Sequence, residues 1–502
     1  MVRTNLLWAA FLTLAALQVH ATDRLVKQSW HLLESENFSV MTNTRGDTPE
    51  ALISDLELFR TVVLAITNAS AVKDRLPTRA LVFRTRREFL RVSGASNIAG
   101  YMRATLRGNY MVSGGSSRSM DQRSIMFHEY VHHLLRSAST VNYPSWYDEG
   151  FADVLSTIYE ADGKVVIGGV SSVRMNTLKN NPMQISLERV VHNDDLSSWH
   201  RYHVSYFYGI SWALVNYLQF GHMMKDMPNR VTQLQTYLSL VQRNVERPRA
   251  FEEAFKINPR GMEKELNNYL GKNRRPVMMI PRDRFAPVGP IRTRSMSNQE
   301  VALALARQAL YRAPEYARSL INEQLEDDPR DAQLTNVLGL TYQMEEQYKE
   351  ADKYLQEAAR MDPGDPVLAI DVADLLAIWN AAVCAKNDNG CEERGSTAEA
   401  EYRRALELAP DNPEANARYA SFLQVADRDL PAAKKYIDFA LEYQPWAPSL
   451  HLVAGLINQG LADKPGAREH LLRTLHWSKS ASIREQAAAA LAELDDEQRK
   501  AK

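Results

Sequence analysis

The first half of the chain alternates between short apolar runs with strand composition and longer segments with helical spacing. Residues 37–44, 79–85 and 108–115 are rich in apolar and β-branched side chains, and each is predicted to form a strand. The pattern predicts one mixed α+β domain that ends near Lys272, and we assign residues 22–275 to it. Apolar side chains three or four positions apart predict its helices around residues 48–66, 122–137, 146–159, 205–220 and 230–244.

A basic, proline-rich stretch follows this domain. Residues 274–294 contain four prolines and six arginines against one aspartate. Such a composition indicates extended backbone, either a linker or a strap that lies on one domain. We assign residues 276–297 to a linker.

From about residue 298 the apolar pattern is helical throughout and repeats itself. Small and apolar residues recur with a period of about 34, the spacing of the tetratricopeptide repeat. One unit places them at Leu338, Gly339, Tyr342, Ala351, Leu355, Ala358 and Pro363. The same series appears upstream at Ala317 and Pro329 and, after a 13-residue insertion, downstream at Ala398, Tyr402, Ala405 and Pro410.

This repetition predicts an all-α solenoid of about five tetratricopeptide repeats over residues 298–481, closed by a capping helix and tail at 482–502. Small residues let the two helices of each unit pack closely, and stacked units bury apolar surface that no single unit could bury. An unrelated helical bundle is the alternative. Because such a solenoid offers a groove, we expect a protein partner there.

The N-terminus has the pattern of a secretory signal. Arg3 precedes an apolar run from Leu6 to Leu17, and we expect cleavage after Ala21, which makes residues 1–21 a signal peptide. The run is short for a span of about 30 Å of hydrocarbon, and an uncleaved anchor is the alternative. No later segment is predicted to cross a membrane. The mature protein is therefore expected to be exported, periplasmic or secreted, and soluble.

The net charge of −1 hides an asymmetry between the two halves. Residues 1–300 carry 37 basic and 27 acidic side chains, a charge of +10, whereas residues 301–502 carry 23 and 34, a charge of −11. This difference indicates that the halves differ in role and attract either each other or different partners. Neither half is basic enough to predict nucleic-acid binding.

The chain has two cysteines, Cys384 and Cys391, and both fall in the 13-residue insertion. In an exported chain, a pair separated by a turn-like Asn-Asp-Asn-Gly sequence is predicted to form a local disulfide. Two free thiols are the alternative, because sequence does not show the geometry.

The predicted helix 122–137 carries two histidines one turn apart. His128 and His132 lie about 40° apart around the helix axis, within an apolar strip where unpaired ring nitrogens would be costly. Zinc binds two neutral imidazoles at about 2.0–2.1 Å, and histidines one helical turn apart can both reach the same ion. Glu129 is placed beside them to act as a general base toward water at the metal. In a chain with 12 histidines this spacing also arises by chance, so a third ligand is needed.

A third ligand is offered by the helix predicted to start near Ser145. Ser145 and Asp148 resemble a capping box, which places Glu149 in the first turn of that helix, and Asp153 follows one turn later. Glu149 is the candidate third ligand. Asp153 is the candidate to hold the outer nitrogen of His128. Taken alone, two such acids are typical of a solvated helix face.

The sequence His-Glu-Tyr-Val-His, followed seventeen residues later by Glu-Gly-Phe-Ala-Asp, resembles the gluzincin metallopeptidases of the thermolysin-like clan. It is most similar to their peptidase-MA-like branch, in which a Trp-x-x-Glu-Gly-x-Ala segment supplies the third ligand. The resemblance covers roughly residues 30–270 and implies a zincin-like metallopeptidase domain. It implies one catalytic Zn2+ ion bound by His128, His132 and Glu149, with Glu129 as the catalytic base.

The resemblance also implies a peptide-binding strand and a donor that stabilises the oxyanion. Residues 108–115, the strand before the metal helix, would receive the substrate as an added strand. Tyr208 is the first choice of donor, and His203 and Tyr206 are alternatives, although aromatic residues at such spacings also occur in ordinary cores. His133 lies about 100° round the helix from its neighbour, so we assign it to packing or to the surface.

Together these features predict an exported zinc-dependent metalloprotease that hydrolyses peptide bonds and recruits substrates or partners through its repeats. Its expected partners are a protein or peptide substrate and a protein bound in the repeat groove. The competing hypothesis is a tetratricopeptide scaffold or adaptor with an inactive, protease-like domain. A zinc hydrolase that acts on a non-peptide amide is a third hypothesis.

Overall fold

The described part of the chain divides into two units. The computed structural model describes residues 23–46, 48–67, 75–94, 98, 100–115, 120–138, 143–193, 196, 198–384 and 390–500, and the predicted signal peptide lies outside them. The first unit comprises Met1–Leu32, Arg87–Asn97 and Arg294–Phe422, and the second comprises Leu33–Arg86, Ile98–Thr293 and Leu423–Lys502. The last repeat helices thus belong to the same unit as most of the α+β domain, which the predicted domain boundaries do not anticipate.

A mixed sheet of six strands is present among the described residues, in the order β4-β5-β3-β2-β1-β9. Strands β2 and β5 both run parallel to β3, and β4 runs antiparallel to β5. Helix α1, Thr48–Thr67, makes the crossover that the parallel pair β2 and β3 requires. The strand bounds are His31–Glu34 for β1, Phe38–Thr42 for β2, Thr78–Phe83 for β3, Gly100–Thr105 for β4, Gly108–Gly114 for β5 and Arg292–Ser295 for β9.

Strand β5 corresponds to the predicted strand 108–115, but it lies inside the sheet. It is hydrogen-bonded to β3 on one side and to β4 on the other. Because both of its edges are used, the prediction that it receives a peptide is wrong. Within the described part of the chain, β4 is the strand at that edge of the sheet.

The helices of the α+β domain pack an apolar core around helix α3. Phe127 of α3 stacks on Phe59 of α1, with ring centroids 4.0 Å apart, and Tyr130, Val131 and Leu134 are buried on the same helix. The predicted helix 146–159 ends early, at Leu155. The helix bounds are Arg86–Ser93 for α2, Met120–Ala138 for α3, Ser145–Leu155 for α4, Ser172–Asn180 for α5, Leu187–His192 for α6, Arg201–Phe220 for α7, Val231–Gln242 for α8, Arg247–Phe255 for α9 and Pro259–Leu270 for α10.

Part of the predicted linker is strand rather than free chain. Met278–Pro281 forms β8, which pairs antiparallel with β7, Lys164–Ile167, and β7 pairs in turn with β6, Tyr159–Ala161. The NH of Arg282 donates to the carbonyl of Gly163. Of the two readings of this basic stretch, the strap that lies on a domain is therefore the one observed.

Paired helices follow from residue 298 onward, as the repeat pattern predicts. Gly339 and Gly455 are equivalent positions in two repeats, and a Cβ atom at either would lie 2.8 Å from a leucine side chain, Leu355 or Leu471. The same close packing thus recurs along the chain. The helix bounds are Asn298–Ala309 for α11, Pro314–Asp327 for α12, Ala332–Met344 for α13, Tyr348–Met361 for α14, Pro366–Val383 for α15, Cys391–Leu408 for α16, Pro413–Val425 for α17, Leu430–Leu441 for α18, Pro448–Gly460 for α19, Lys464–Trp477 for α20 and Ala481–Lys500 for α21.

The 13-residue insertion lengthens one helical pair. Helices α15 and α16 have 18 residues each, and the predicted disulfide between Cys384 and Cys391 joins their ends. The insertion therefore extends a repeat rather than separating two repeats.

Helix α15 is long and apolar enough, by length and composition alone, to cross a membrane, which differs from the prediction. Its Asp371 carboxylate accepts from Asn336 of α13, and its Asp374 carboxylate accepts from Tyr402 of α16. These buried polar contacts are typical of a core helix within a repeat array.

Candidate metal centre

Helix α3 presents its two histidines on the side that faces α4. The apolar side chains of α3 anchor it in the core, and one turn separates His128 from the buried His132. This follows from the sequence because Phe127, Tyr130 and Leu134 occupy a different stripe of the helix.

Helix α4 brings Glu149 to the histidines. Its N-cap is Pro144 and no side chain caps it, so the predicted capping box is wrong. A Cβ atom at Gly150 would collide with the backbone carbonyl of Ser211 in α7. Glycine at this position therefore allows α4 and α7 to approach closely, which fixes Glu149 beside α3.

The three predicted ligands converge on one point. The Nε2 atoms of His128 and His132 lie 3.2 Å apart, and Glu149 Oε2 lies 3.1 Å from the first and 3.3 Å from the second. In a tetrahedral zinc site, ligand atoms about 2.0–2.1 Å from the ion stand about 3.3 Å from each other. Two imidazoles and a carboxylate at these separations fit zinc. As metal ligands, the three residues remain a prediction.

Behind His128, a carboxylate and an arginine form a connected chain. His128 Nδ1 lies 2.9 Å from Asp153 Oδ1, so the predicted hydrogen bond is present. Arg174 of α5 donates to both carboxylate oxygens, from Nε to Oδ2 at 2.7 Å and from Nη2 to Oδ1 at 3.0 Å. Sequence reasoning missed Arg174, which lies far from the motif in the chain and has no periodic signal.

Behind His132, the corresponding chain is weaker. His132 Nδ1 lies 3.2 Å from Asp148 Oδ1, within ion-pair distance. Arg136 Nη2 reaches Asp148 Oδ2 at 3.4 Å. Asp148 was predicted as a helix cap. Its place beside His132 could have been found from its position next to Glu149 in the sequence.

The neighbouring carboxylates raise the pKa of each histidine of the cluster more than burial lowers it. Burial alone would lower the pKa of His128, but Asp153 and Glu149 raise it to about 10. Burial likewise opposes Asp148 and Glu149 at His132, whose pKa rises to about 9. Although burial raises the pKa of Glu149, the histidines hold it well below its usual range. The cluster therefore stabilises positive charge between the imidazoles, as a cation site requires.

Of the three candidate donors, Tyr208 is the one whose hydroxyl interacts with the charges of the cluster. The charge of Glu149, burial and the charge of Glu129 raise the pKa of Tyr208, and the guanidinium of Arg174 lies 4.9 Å from the centre of its ring. Within the described part of the chain, half-buried Glu129 makes no hydrogen bond or ion pair. Burial and the charge of Glu263 raise the pKa of Tyr206, so that ring faces α10 instead.

His203 and His133 make other contacts. His203 packs beside His200, with ring centroids 6.2 Å apart. His133 is buried, with Nε2 3.3 Å from Asn109 Nδ2 and its ring stacked on Tyr130. The assignment of His133 to packing is confirmed.

No protein-family model matches the chain, and no curated protein matches it. Matching solved structures include a thermophilic tetratricopeptide-repeat protein of Thermus thermophilus, 15% identical with a TM-score of 0.33, over 39% of this chain and 99% of that one. YrrB, a tetratricopeptide-repeat protein with an unusual peptide-binding site, is 20% identical with a TM-score of 0.29, over 38% and 90%. PilF of Pseudomonas aeruginosa is 17% identical with a TM-score of 0.32, over 39% and 90%. Similarity at this level carries no argument about activity or partners.

Proposed function

We propose that the α+β domain holds one zinc ion at His128, His132 and Glu149 and hydrolyses peptide bonds. The observation that carries this proposal is the spacing of the three ligand atoms, 3.1–3.3 Å, which suits tetrahedral zinc. Zinc, when bound with an open position, acts as a Lewis acid and lowers the pKa of water toward about 7.

The other residues of the site act on protons and on the substrate. Glu129, adjacent to the ligands on α3, accepts the proton of the attacking water and later delivers it to the leaving amine. The Tyr208 hydroxyl donates a hydrogen bond to the carbonyl oxygen as negative charge develops there. Edge strand β4 packs against α3, where Gly100 approaches Ile125, and it receives the peptide as an added strand.

The helical repeats serve as the partner-binding part of the protein. Their stacked pairs build an extended surface of the kind on which solenoids bind other proteins. This supports the second candidate function, a repeat scaffold or adaptor whose α+β domain is inactive. Partner binding by the repeats is better supported than the protease activity, because the recurring helical pairs are observed, whereas the activity is proposed from the three-residue cluster alone. Under either function, we propose that the protein acts outside the cytoplasm, because residues 1–21 have the pattern of a secretory signal.

One experiment separates the two functions. Zinc content and peptide hydrolysis are measured for the wild type, for Glu129→Gln and for the matched control Glu253→Gln, whose side chain is exposed on α9. Zinc in all three proteins, with hydrolysis lost only in Glu129→Gln, supports the protease. A wild type without zinc contradicts the site. A zinc-bound wild type that cleaves no peptide from a broad library favours the scaffold.

A further inference from the structure

We infer that Arg174 is a positioning residue for both the ligand His128 and the donor Tyr208. This inference rests on the proposed zinc site. A single guanidinium on α5 fixes Asp153 behind one histidine and lies over the ring of Tyr208, so it sets the two groups relative to each other.

The first half of this role follows from the bonding of Asp153. Its carboxylate is buried and takes two hydrogen bonds from Arg174, and it lies 2.9 Å from His128 Nδ1. A carboxylate can only accept, so Nδ1 carries a proton, and in the neutral imidazole the lone pair is then on Nε2, which faces His132 and Glu149. A planar fork that holds both oxygens allows the carboxylate little rotation. The imidazole behind it is therefore held in the orientation and tautomer that metal binding requires.

The second half concerns Tyr208. The Cζ atom of Arg174 lies 4.9 Å from the centre of the Tyr208 ring, within the range of a cation–π contact. Because Asp153 fixes the same guanidinium, the Tyr208 ring packs against a group that has little freedom to move. The tyrosine hydroxyl then keeps its place near Glu149 and Glu129.

The second histidine provides an internal comparison. Arg136 reaches Asp148 through a single 3.4 Å contact, and its side chain is 32% exposed against 23% for Arg174. Arg136 therefore has the same chemistry in a looser arrangement. It is the comparison for Arg174, and the exposed Arg249 of α9 is the matched control.

The test measures metal binding rather than activity. The zinc dissociation constant is obtained by competition with a chromophoric chelator, and the visible spectrum of the cobalt-substituted protein is recorded for each variant. For Arg174→Met we expect the dissociation constant to rise by about 10- to 100-fold, the usual effect of a residue behind a ligand, with an altered cobalt spectrum. Arg174→Lys keeps the charge but not the fork, so it should recover part of the affinity. Arg136→Met should change both measurements less than Arg174→Met does, and Arg249→Met, whose side chain is exposed on α9, should change neither.

The outcomes distinguish this inference from the proposed function. A wild type that binds no zinc contradicts the site and the role of Arg174 together. If the wild type binds zinc and Arg174→Met does so with equal affinity and an unchanged cobalt spectrum, only the positioning role is wrong. Should Arg174→Met not fold, Arg174→Lys decides, because wild-type affinity and spectrum in that variant mean that the fork is not needed.

Discussion

The candidate metal centre and the helical repeats differ in how often each side-chain contact occurs. In the candidate metal centre, each contact occurs once: His128 of α3 lies beside Glu149 of α4, and Arg174 of α5 donates to Asp153 behind that histidine. In the repeats, the same contact recurs, as at Gly339 and Gly455. A single substitution should therefore abolish the function of the first region, whereas in the second it should weaken one unit among several.

The largest effect should come from removing a ligand. In His132→Ala the zinc dissociation constant should rise by more than the roughly 100-fold that loss of an outer residue causes, because one of three bonds to the ion is lost. The measurement is competition with a chromophoric chelator. His133→Ala is the adjacent control: it removes a buried packing residue, so stability should fall by about 1–3 kcal/mol while zinc affinity is kept. Equal loss of zinc in both variants would mean that the affinity reports folding and not ligation.

The next largest effect should come from Gly150→Ala. Its Cβ atom meets the backbone of α7, which cannot rotate away, so we expect a loss of about 3 kcal/mol, the upper end of overpacking costs, together with weaker zinc binding. Chemical denaturation and the zinc assay measure the two effects. Gly289→Ala, with no atom within 4 Å of the new Cβ, should stay within about 0.5 kcal/mol of the wild type. A Gly150→Ala protein with wild-type stability would show that α4 and α7 can separate without cost.

The same contrast explains what the sequence could predict. The approach of His128, His132 and Glu149 to one another was predictable because their spacing is set by one turn of helix and by a short motif. Arg174 was not, since its contact with Asp153 depends on the path of the chain between α4 and α5. The position of β5 inside the sheet was not predictable either, because strand composition gives no information about strand order.

The helical repeats were predictable over a longer stretch of the chain because the small residues that allow close helix packing recur in each repeat. Small residues at a fixed period indicated the helical pairs, and the 13-residue insertion did not obscure them. The strand within the basic stretch was missed at Met278–Pro281, since proline and arginine favour extended chain in a linker and in an edge strand alike.

A third prediction uses pH, because the histidines of the two regions shift in opposite directions. In metal-free protein the raised pKa values of His128 and His132 contribute stability below pH 6.5 that is lost as pH rises through about 9–10. In the repeats, burial lowers the pKa of His451 to about 4, so its contribution is present above pH 6.5 and lost as pH falls toward 4, by up to about 3 kcal/mol.

The main physical cause at His451 is the burial of its ring, and the neighbouring His470, whose Nδ1 lies 2.8 Å from His451 Nδ1, lowers the pKa further. The carbonyl of Pro445, 2.9 Å from Nε2, opposes this shift but does not cancel it. Hydrogen exchange of α19 and α20 between pH 4 and 8 measures the effect. His451→Gln should flatten this profile, and an unchanged pH dependence in that variant would count against the assignment.

The smallest effect on stability should come from substituting the repeat glycines. The test asks whether the loss of stability is equal at the two sites. In Gly339→Ala and Gly455→Ala the new methyl group meets a flexible leucine side chain at 2.8 Å rather than a backbone carbonyl. Overpacking of about 2 kcal/mol is then offset by about 1 kcal/mol of better helix propensity. Each variant should lose about 1 kcal/mol, seen as faster hydrogen exchange in its own helical pair, with zinc affinity unchanged in both. A loss of stability at only one of the two sites would mean that the two repeats are not equivalent. The contrast with the metal centre would then be wrong, because it requires the same contact to contribute equally in each repeat.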